Sequence, residues 1–204
     1  MGGRAINTQD LISVNRLWRM VYPYTAAHAM SYYARCEGTV LELGSFAGGI
    51  TFELAGVYPG LRLTIVDENL AYIQYLRSEL FRRSLSRRVQ LVDTSLTRLA
   101  FPDGSFDFAI MRGAFFFIMT RPDILTEINR VLKPGALAFV GGGYGKDVPT
   151  EVIAEIAEES RVLNDRLGRR RVNIGELEKL LISVGLDKKA RILEEGGVWI
   201  LLRK

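Results

Sequence analysis

Val40, Leu41, Glu42 and Leu43 form a short apolar run around one carboxylate, and Gly44-Ser45-Phe46-Ala47-Gly48-Gly49 follows as a glycine-rich bend before an amphipathic helix. Glycine tolerates the backbone angles of such a bend and lets N–H groups approach a ligand, with a helix N-terminus facing it. Open α/β sheets bind ligands at this kind of place, beyond the carboxyl end of the first strand. A dinucleotide fingerprint, G-x-G-x-x-G, fails on spacing, because counting from Gly44 puts Phe46 where the second glycine belongs. Taken alone, the stretch also reads as a plain tight turn between strand and helix.

Other side chains with chemical capacity are scattered along the chain. Asp67 ends a second apolar run, just before Glu68 and Asn69, where it also reads as an acid opening a helix. Arg112 falls just past a fourth apolar run, and a charge at a strand's carboxyl end is poorly explained by packing alone. His28 is the single histidine, the side chain whose ordinary pKa suits a general base near neutrality. A lone histidine on a helix is equally a structural residue. Tyr24, Tyr32, Tyr33 and Tyr144 suit an aromatic pocket, or else core and lid packing. Gly141-Gly142-Gly143-Tyr144-Gly145 reads as a loop that is mobile or closely approached by a ligand.

These groups need elements to hold them. Strands are expected at 40–43, 61–66, 89–92, 106–111 and 136–140, each short and apolar as in strands buried on both faces. Helices at about 48–57, 69–83 and 122–132 alternate with them, the last stopped by Lys133-Pro134-Gly135. Residues 142–172 form a mostly helical insertion, and a helix follows at 174–184. Segments 188–194 and 198–203 flank Gly196-Gly197 and are expected to pair antiparallel. Residues 1–38 lie outside the alternation as two helices, the first ended by Pro23 and the second capped by Thr25. The organisation expected is a helical cap over 1–38 and one globular domain over 39–204.

Composition bounds the rest. A chain of 204 residues, 48% hydrophobic and 25% charged, suits one domain with a sizeable core. No apolar run is long enough for a bilayer and the N-terminus lacks a signal-peptide core, so a cytoplasmic protein without membrane partners is expected. Cys36 is the only cysteine, which excludes an internal disulfide and a Cys-rich zinc site, and no metal is expected. The formal net charge of +4 is mild and concentrates in Arg82-Arg83-Ser84-Leu85-Ser86-Arg87-Arg88 and Arg169-Arg170-Arg171. Such runs meet nucleic acid or an anionic substrate, or simply close helices in solvent. Neither has the interleaved aromatics of a base-stacking surface.

The bend from Glu42 to Gly48 resembles motif I of the class I S-adenosylmethionine (SAM)-dependent methyltransferases, E/D-x-G-x-G-x-G, with Phe46 in place of the middle glycine. Phe101-Pro102-Asp103-Gly104-Ser105-Phe106-Asp107 is similar to that family's segment before the fourth strand. The run from Glu127 through Arg130-Val131-Leu132-Lys133-Pro134-Gly135-Ala136 is similar to its E-x-x-R-V-L-K-P-G-G helix and turn, with Ala136 for the second glycine. The likeness covers roughly residues 39–140 and 174–204. It implies a three-layer Rossmann-like fold, with a seven-stranded, mostly parallel sheet and an antiparallel last strand. It also implies SAM as cofactor and S-adenosylhomocysteine (SAH) as product.

On this resemblance the cofactor-binding residues are Glu42, Gly44, Ser45, Phe46, Gly48, Asp67, Glu68, Asp93, Thr94, Ser95 and Arg112. Glu42 would face the methionine ammonium, and Asp67 both ribose hydroxyls. The adenine acceptor is Ser95 in an ungapped alignment and Asp93 with two extra residues. Asp93 is preferred as the better acceptor. Catalytic candidates are His28, Arg112 and Tyr144. Met111-Arg112-Gly113-Ala114 stands where adenine- and glutamine-directed enzymes carry N-P-P-Y, so a small-molecule acceptor is expected, methylated at O or C ahead of N, with nucleic acid disfavoured. An RNA methyltransferase using the arginine runs and a catalytically silent SAM-binding module are the alternatives. A monomer or homodimer is expected.

Overall fold

A computed structural model describes residues 7–204. Strands β1 (Glu37–Leu43), β2 (Gly60–Asp67), β3 (Val89–Asp93), β4 (Phe106–Arg112), β5 (Leu132–Gly142), β6 (Ala190–Leu193) and β7 (Val198–Arg203) make one sheet. Their order is β3-β2-β1-β4-β5-β7-β6, parallel except for β7, which runs antiparallel to both β5 and β6. The order reverses between β1 and β4, so their carboxyl ends diverge there and open the crevice in which such sheets bind ligands. Strand β1 shows why these residues become strand: Val40, Leu41 and Leu43 are all buried, as a central strand between two helical layers requires.

Helices α3 (Gly49–Val57), α4 (Leu70–Arg82), α5 (Asp123–Val131) and α7 (Ile174–Ser183) connect the strands, and α6 (Thr150–Arg166) fills the expected insertion. Asn69 caps α4 by accepting from the Tyr72 N–H, and Asn173 with Glu176 closes a capping box on α7. Strand β5 starts at Leu132, directly after α5, and includes Lys133-Pro134-Gly135, where its pairing with β4 is bulged and Gly135 takes φ 78°.

The N-terminal region departs from expectation in detail. Helix α1 (Thr8–Leu17), capped by Asn7, ends well before Pro23, and a 3-10 turn over Trp18–Met20 leads into α2 (Tyr22–Tyr33). Pro23 lies in the first turn of α2, where its missing N–H has no helical partner to lose. Thr25 is therefore inside the helix and not its cap. Its hydroxyl lies 3.3 Å from the Val21 carbonyl and 3.1 Å from the Tyr144 carbonyl. Residues 1–6 of the expected cap lie outside the described residues. The rest packs on the sheet: Tyr33 stacks on Phe108 of β4 at 4.9 Å and Tyr32 on Phe139 of β5 at 5.8 Å.

Candidate functional site

The site is built at the carboxyl ends of β1 and β2. Glu42 points from β1 under the bend, and its Oε2 accepts from the Gly48 N–H at 2.9 Å and the Thr51 N–H at 2.8 Å. One carboxylate oxygen therefore shapes the turn and satisfies the N-terminus of α3. Its Oε1 is buried without a partner. Burial raises the Glu42 pKa against the pull of those bonds and of the Arg112 charge. Gly44 and Gly48 take φ of 91° and 107°, and a Cβ on Gly48 would come within 2.6 Å of Leu76, so both positions need glycine.

Asp67 ends β2 and is 0% exposed. Its Oδ1 accepts from the Asn69 N–H at 2.6 Å, while Oδ2, like Glu42 Oε1, is buried and unpaired. Burial raises its pKa to about 6, against the lowering by the Asn69 N–H and the nearby Ser45 hydroxyl. Two buried carboxylates on adjacent strands thus each keep one oxygen without a hydrogen bond of its own, the Thr51 and Ser45 hydroxyls being the donors beside them. Leaving such groups unmade is costly, and a bound ligand is one way in which both would be satisfied.

The remaining candidates fall around this pair. Ser45 is buried, and its carbonyl accepts from Asn15 Nδ2 at 3.4 Å. The Phe46 ring turns towards β4, leaning on Phe116 at 4.9 Å and filling the space beside Gly113. Glu68 pairs with Arg121 and accepts from the Leu96 N–H at 3.2 Å, and Arg121 holds its carboxyl below the usual range. Asp93 lies beside Asp67 in register and is exposed; the Thr94 N–H donates to the Asp67 carbonyl at 3.1 Å. Ser95 is also exposed, 3.1 Å from the Thr97 hydroxyl.

Arg112 does reach the crevice, but as the centre of a buried network. It is 4% exposed, and Nη2 donates to Asn15 Oδ1 at 3.1 Å, Tyr22 Oη at 2.9 Å and the Phe46 carbonyl at 3.4 Å. Its guanidinium lies 4.7 Å from the Trp18 ring centre and 5.1 Å from those of Tyr22 and Phe46. Tyr22 and Asn15 are themselves hydrogen-bonded, at 2.5 Å. Sequence reasoning missed both partners. The readable signal was Leu11, Asn15, Trp18 and Tyr22 recurring at helical spacing, with one amide inside an otherwise apolar stripe.

Beside this network a cleft of about 260 Å³ opens between β4, β5 and α6. Trp18, Phe46, Phe115, Phe116 and Tyr144 give it aromatic walls, with Trp18 and Tyr144 stacked at 4.9 Å. Tyr144 therefore lines the cleft as expected. His28 does not: it is 0% exposed, packed against Phe139 and Trp199, and its Nδ1 accepts from the Lys146 N–H at 3.3 Å. Burial lowers its pKa and keeps it neutral. Tyr24 and Tyr32 are likewise absent from the walls, whereas Trp18, which composition alone does not single out, is present. Among the described residues no group of His, Cys, Asp and Glu is arranged to hold a metal, and no helix is long and apolar enough to cross a membrane.

A seven-stranded sheet of this order, a glycine bend over a buried carboxylate and an acid ending β2 together define a Rossmann-like methyltransferase-class protein. Comparison with known proteins agrees. Residues 41–140 match the family described as a methyltransferase domain. The chain is 33% identical over 98 residues to sterol 24-C-methyltransferase ERG6A of Gibberella zeae, covering 48% of this chain and 26% of that protein. It is 26% identical over 134 residues to the ubiquinone/menaquinone biosynthesis C-methyltransferase UbiE of Hahella chejuensis, covering 64% of this chain and 51% of the relative. The chain thus spans about half the length of one curated relative and about a quarter of the other. A Methanococcus maripaludis structure ascribed to the SAM-dependent methyltransferases superposes with a TM-score of 0.84 at 21% identity, covering 100% of this chain and 96% of that one. Over residues 41–140, just under half of its length, the chain matches the methyltransferase-domain family, and its fold is that of the Rossmann-like methyltransferases.

Proposed function

We propose that the protein transfers a methyl group from SAM to a small-molecule acceptor, at carbon or oxygen ahead of nitrogen. The observation that carries this reading is the pair of buried, half-satisfied carboxylates, Glu42 and Asp67, flanking the glycine bend. An ammonium and a ribose diol are donors of the kind that Glu42 Oε1 and Asp67 Oδ2 lack. Bound SAM supplies a methyl already activated on a sulfonium, with a neutral thioether as leaving group. The chain's part is then largely positioning, worth about 7–11 kcal/mol where reactants are well aligned. Gly44 and Gly48 let the backbone pass close beneath a ligand, and the aromatic cleft beside Phe46 would hold the acceptor. We assign no base role to His28, which does not line the cleft; the Tyr144 phenol does, its pKa raised by burial. A hydroxyl already ionised in solution, or a carbon nucleophile that loses its proton after the transfer, suits a cleft without a general base. The two curated relatives are named C-methyltransferases, which agrees with carbon as the acceptor atom. A tritiated-methyl transfer screen over pooled metabolites and RNA tests the reading. Label appearing only in RNA, or in no pool at all despite SAH binding, would overturn it.

Two further results are expected from titration calorimetry with SAH. A carboxyl whose pKa is about 6 in the fold and 3.8 as a model group holds its proton longer when folded. Its contribution to stability therefore falls as pH rises from about 4 to about 6 and is level above. Ligand binding has the opposite sign, because only ionised Asp67 accepts from both hydroxyls. SAH affinity should be highest above pH 6 and weaken by up to about tenfold per pH unit below it. An affinity flat from pH 5 to 8 would remove Asp67 from the binding site. Asp93→Ala should weaken binding more than Ser95→Ala, since a carboxylate is the stronger acceptor for an adenine amine. The reverse order would give the contact to Ser95.

A further inference from the structure

The cleft beside Phe46 has an electrostatic character that the methyltransferase reading does not require. Four arginines line it, Arg112, Arg161, Arg169 and Arg170, and no Asp or Glu does. The carboxylates that pair with three of them, Glu158, Asp165 and Glu176, do not line the cleft. Asp165 is shared between Arg161 at 3.4 Å and Arg169 at 2.9 Å. Arg112 has no carboxylate within ion-pair distance among the described residues, and the Nε of both Arg112 and Arg169 is buried without an acceptor.

The neutral polar groups point the same way. Ser160, buried in the wall, accepts at Oγ from Trp18 Nε1 at 2.8 Å and from Asn164 Nδ2 at 3.1 Å. With both of those donors aimed at its oxygen, the Ser160 hydrogen is left to donate elsewhere. The polar lining is thus rich in donors, and the walls between are aromatic. A ligand without acceptor oxygens would leave those donors unpaired in a confined space, and an anionic oxygen pairs with guanidinium more strongly than a neutral one.

We propose that the acceptor is a flat, unsaturated molecule carrying an oxyanion, a carboxylate or a phosphate. Its ring system lies along the aromatic wall formed by Phe46, Phe115 and the stacked Trp18–Tyr144 pair, and its anionic group lies towards Arg169 and Arg170. This rests on the methyltransferase reading only for the word acceptor; the binding itself is measured without catalysis. The arginine run 169–171, readable from sequence as solvated helix-end charge, then has two members with a ligand to meet.

The test uses the full chain saturated with SAH and three probes of matched shape: 2-naphthoate, 2-naphthyl phosphate and neutral 2-naphthamide. Binding is read by calorimetry and by quenching of Trp18, with Trp199 buried away from the cleft. At least one anionic probe should bind about tenfold or more tighter than the amide, in line with charge-assisted hydrogen bonding to guanidinium. Which anion wins separates carboxylate from phosphate acceptors. Raising salt from about 0.05 M to about 0.5 M should shrink the preference, as screening requires. Arg169→Gln should reduce it to about threefold or less, and Arg170→Gln, at an exposed position that folding tolerates, should reduce it in part. Arg87→Gln, remote from the cleft, should leave it intact. Equal binding of amide and anions, or a preference surviving both cleft substitutions, would overturn the proposal. Failure of SAH itself to bind would instead overturn the methyltransferase reading, so the two failures are distinct.

Discussion

Asp67→Ala should weaken SAH binding by one to two orders of magnitude while making the ligand-free protein no less stable. Hydrogen bonds to a charged group contribute about 1.5–3 kcal/mol each, and a ribose diol offers two to one carboxylate. Oδ1 is already shared with the Asn69 N–H, so the two bonds will not sum fully, and a loss of about 10- to 100-fold is the sensible expectation. The stability side comes from the same burial. A pKa raised to about 6 from 3.8 means that the ionised carboxylate costs the fold on the order of 3 kcal/mol at neutral pH. Asp67→Asn keeps the acceptor for Asn69 and removes the charge, so it should melt at or above the wild-type temperature. A residue kept for the ligand against the interest of the empty fold has this signature. If Asp67→Ala binds SAH as tightly as wild type, the ribose assignment is wrong. If Asp67→Asn is markedly less stable, the carboxylate is structural, which is the helix-opening role its position before Asn69 also allows.

The sequence disclosed the parts of this site that depend on short spacing. Glu42, Gly44 and Gly48 lie within one strand, one bend and one helix start, so their relation is fixed by local geometry. Asp67 was legible because β2 ends on it. What it could not disclose is set by contacts across the chain. Arg112 was readable as a charge at a strand end, but Asn15 and Tyr22, its partners, are 97 and 90 residues away. His28 was singled out by pKa, a property of residue type, and type says nothing of place: α2 turns it onto Phe139 and away from the cleft. Thr25 had the chemistry of a cap, but the helix starts three residues earlier, because Pro23 fits a first turn as well as it ends one. The arginine run 169–171 looked like solvated charge because nothing in its neighbours shows that Gly168, at φ 83°, turns the chain back after α6.

Arg112→Ala should lower both stability and turnover, and the pairing of the two effects is the point of the experiment. The guanidinium ties α1 and α2 to the carboxyl end of β4 through Asn15 and Tyr22, and to the bend through the Phe46 carbonyl. Truncation removes three hydrogen bonds and the contacts with three rings and leaves a hole, offset by no longer burying a charge. Hydrogen bonds to a charged group contribute about 1.5–3 kcal/mol each, relief of the buried charge offsets part of their loss, and we expect a net cost of about 3 kcal/mol because the Tyr22–Asn15 bond survives. For a chain of this size that is a drop in melting temperature of roughly 6–12 °C. Turnover should fall with it, because Trp18 and Phe46 line the cleft and lose the group that holds them together. Arg112→Lys keeps the charge without the planar fork, and should recover part of the stability. Calorimetry and a turnover assay at saturating SAM decide the matter. A variant that melts within about 1 °C of wild type yet does not turn over would make Arg112 a direct contact to ligand and not the tether of the helical cap.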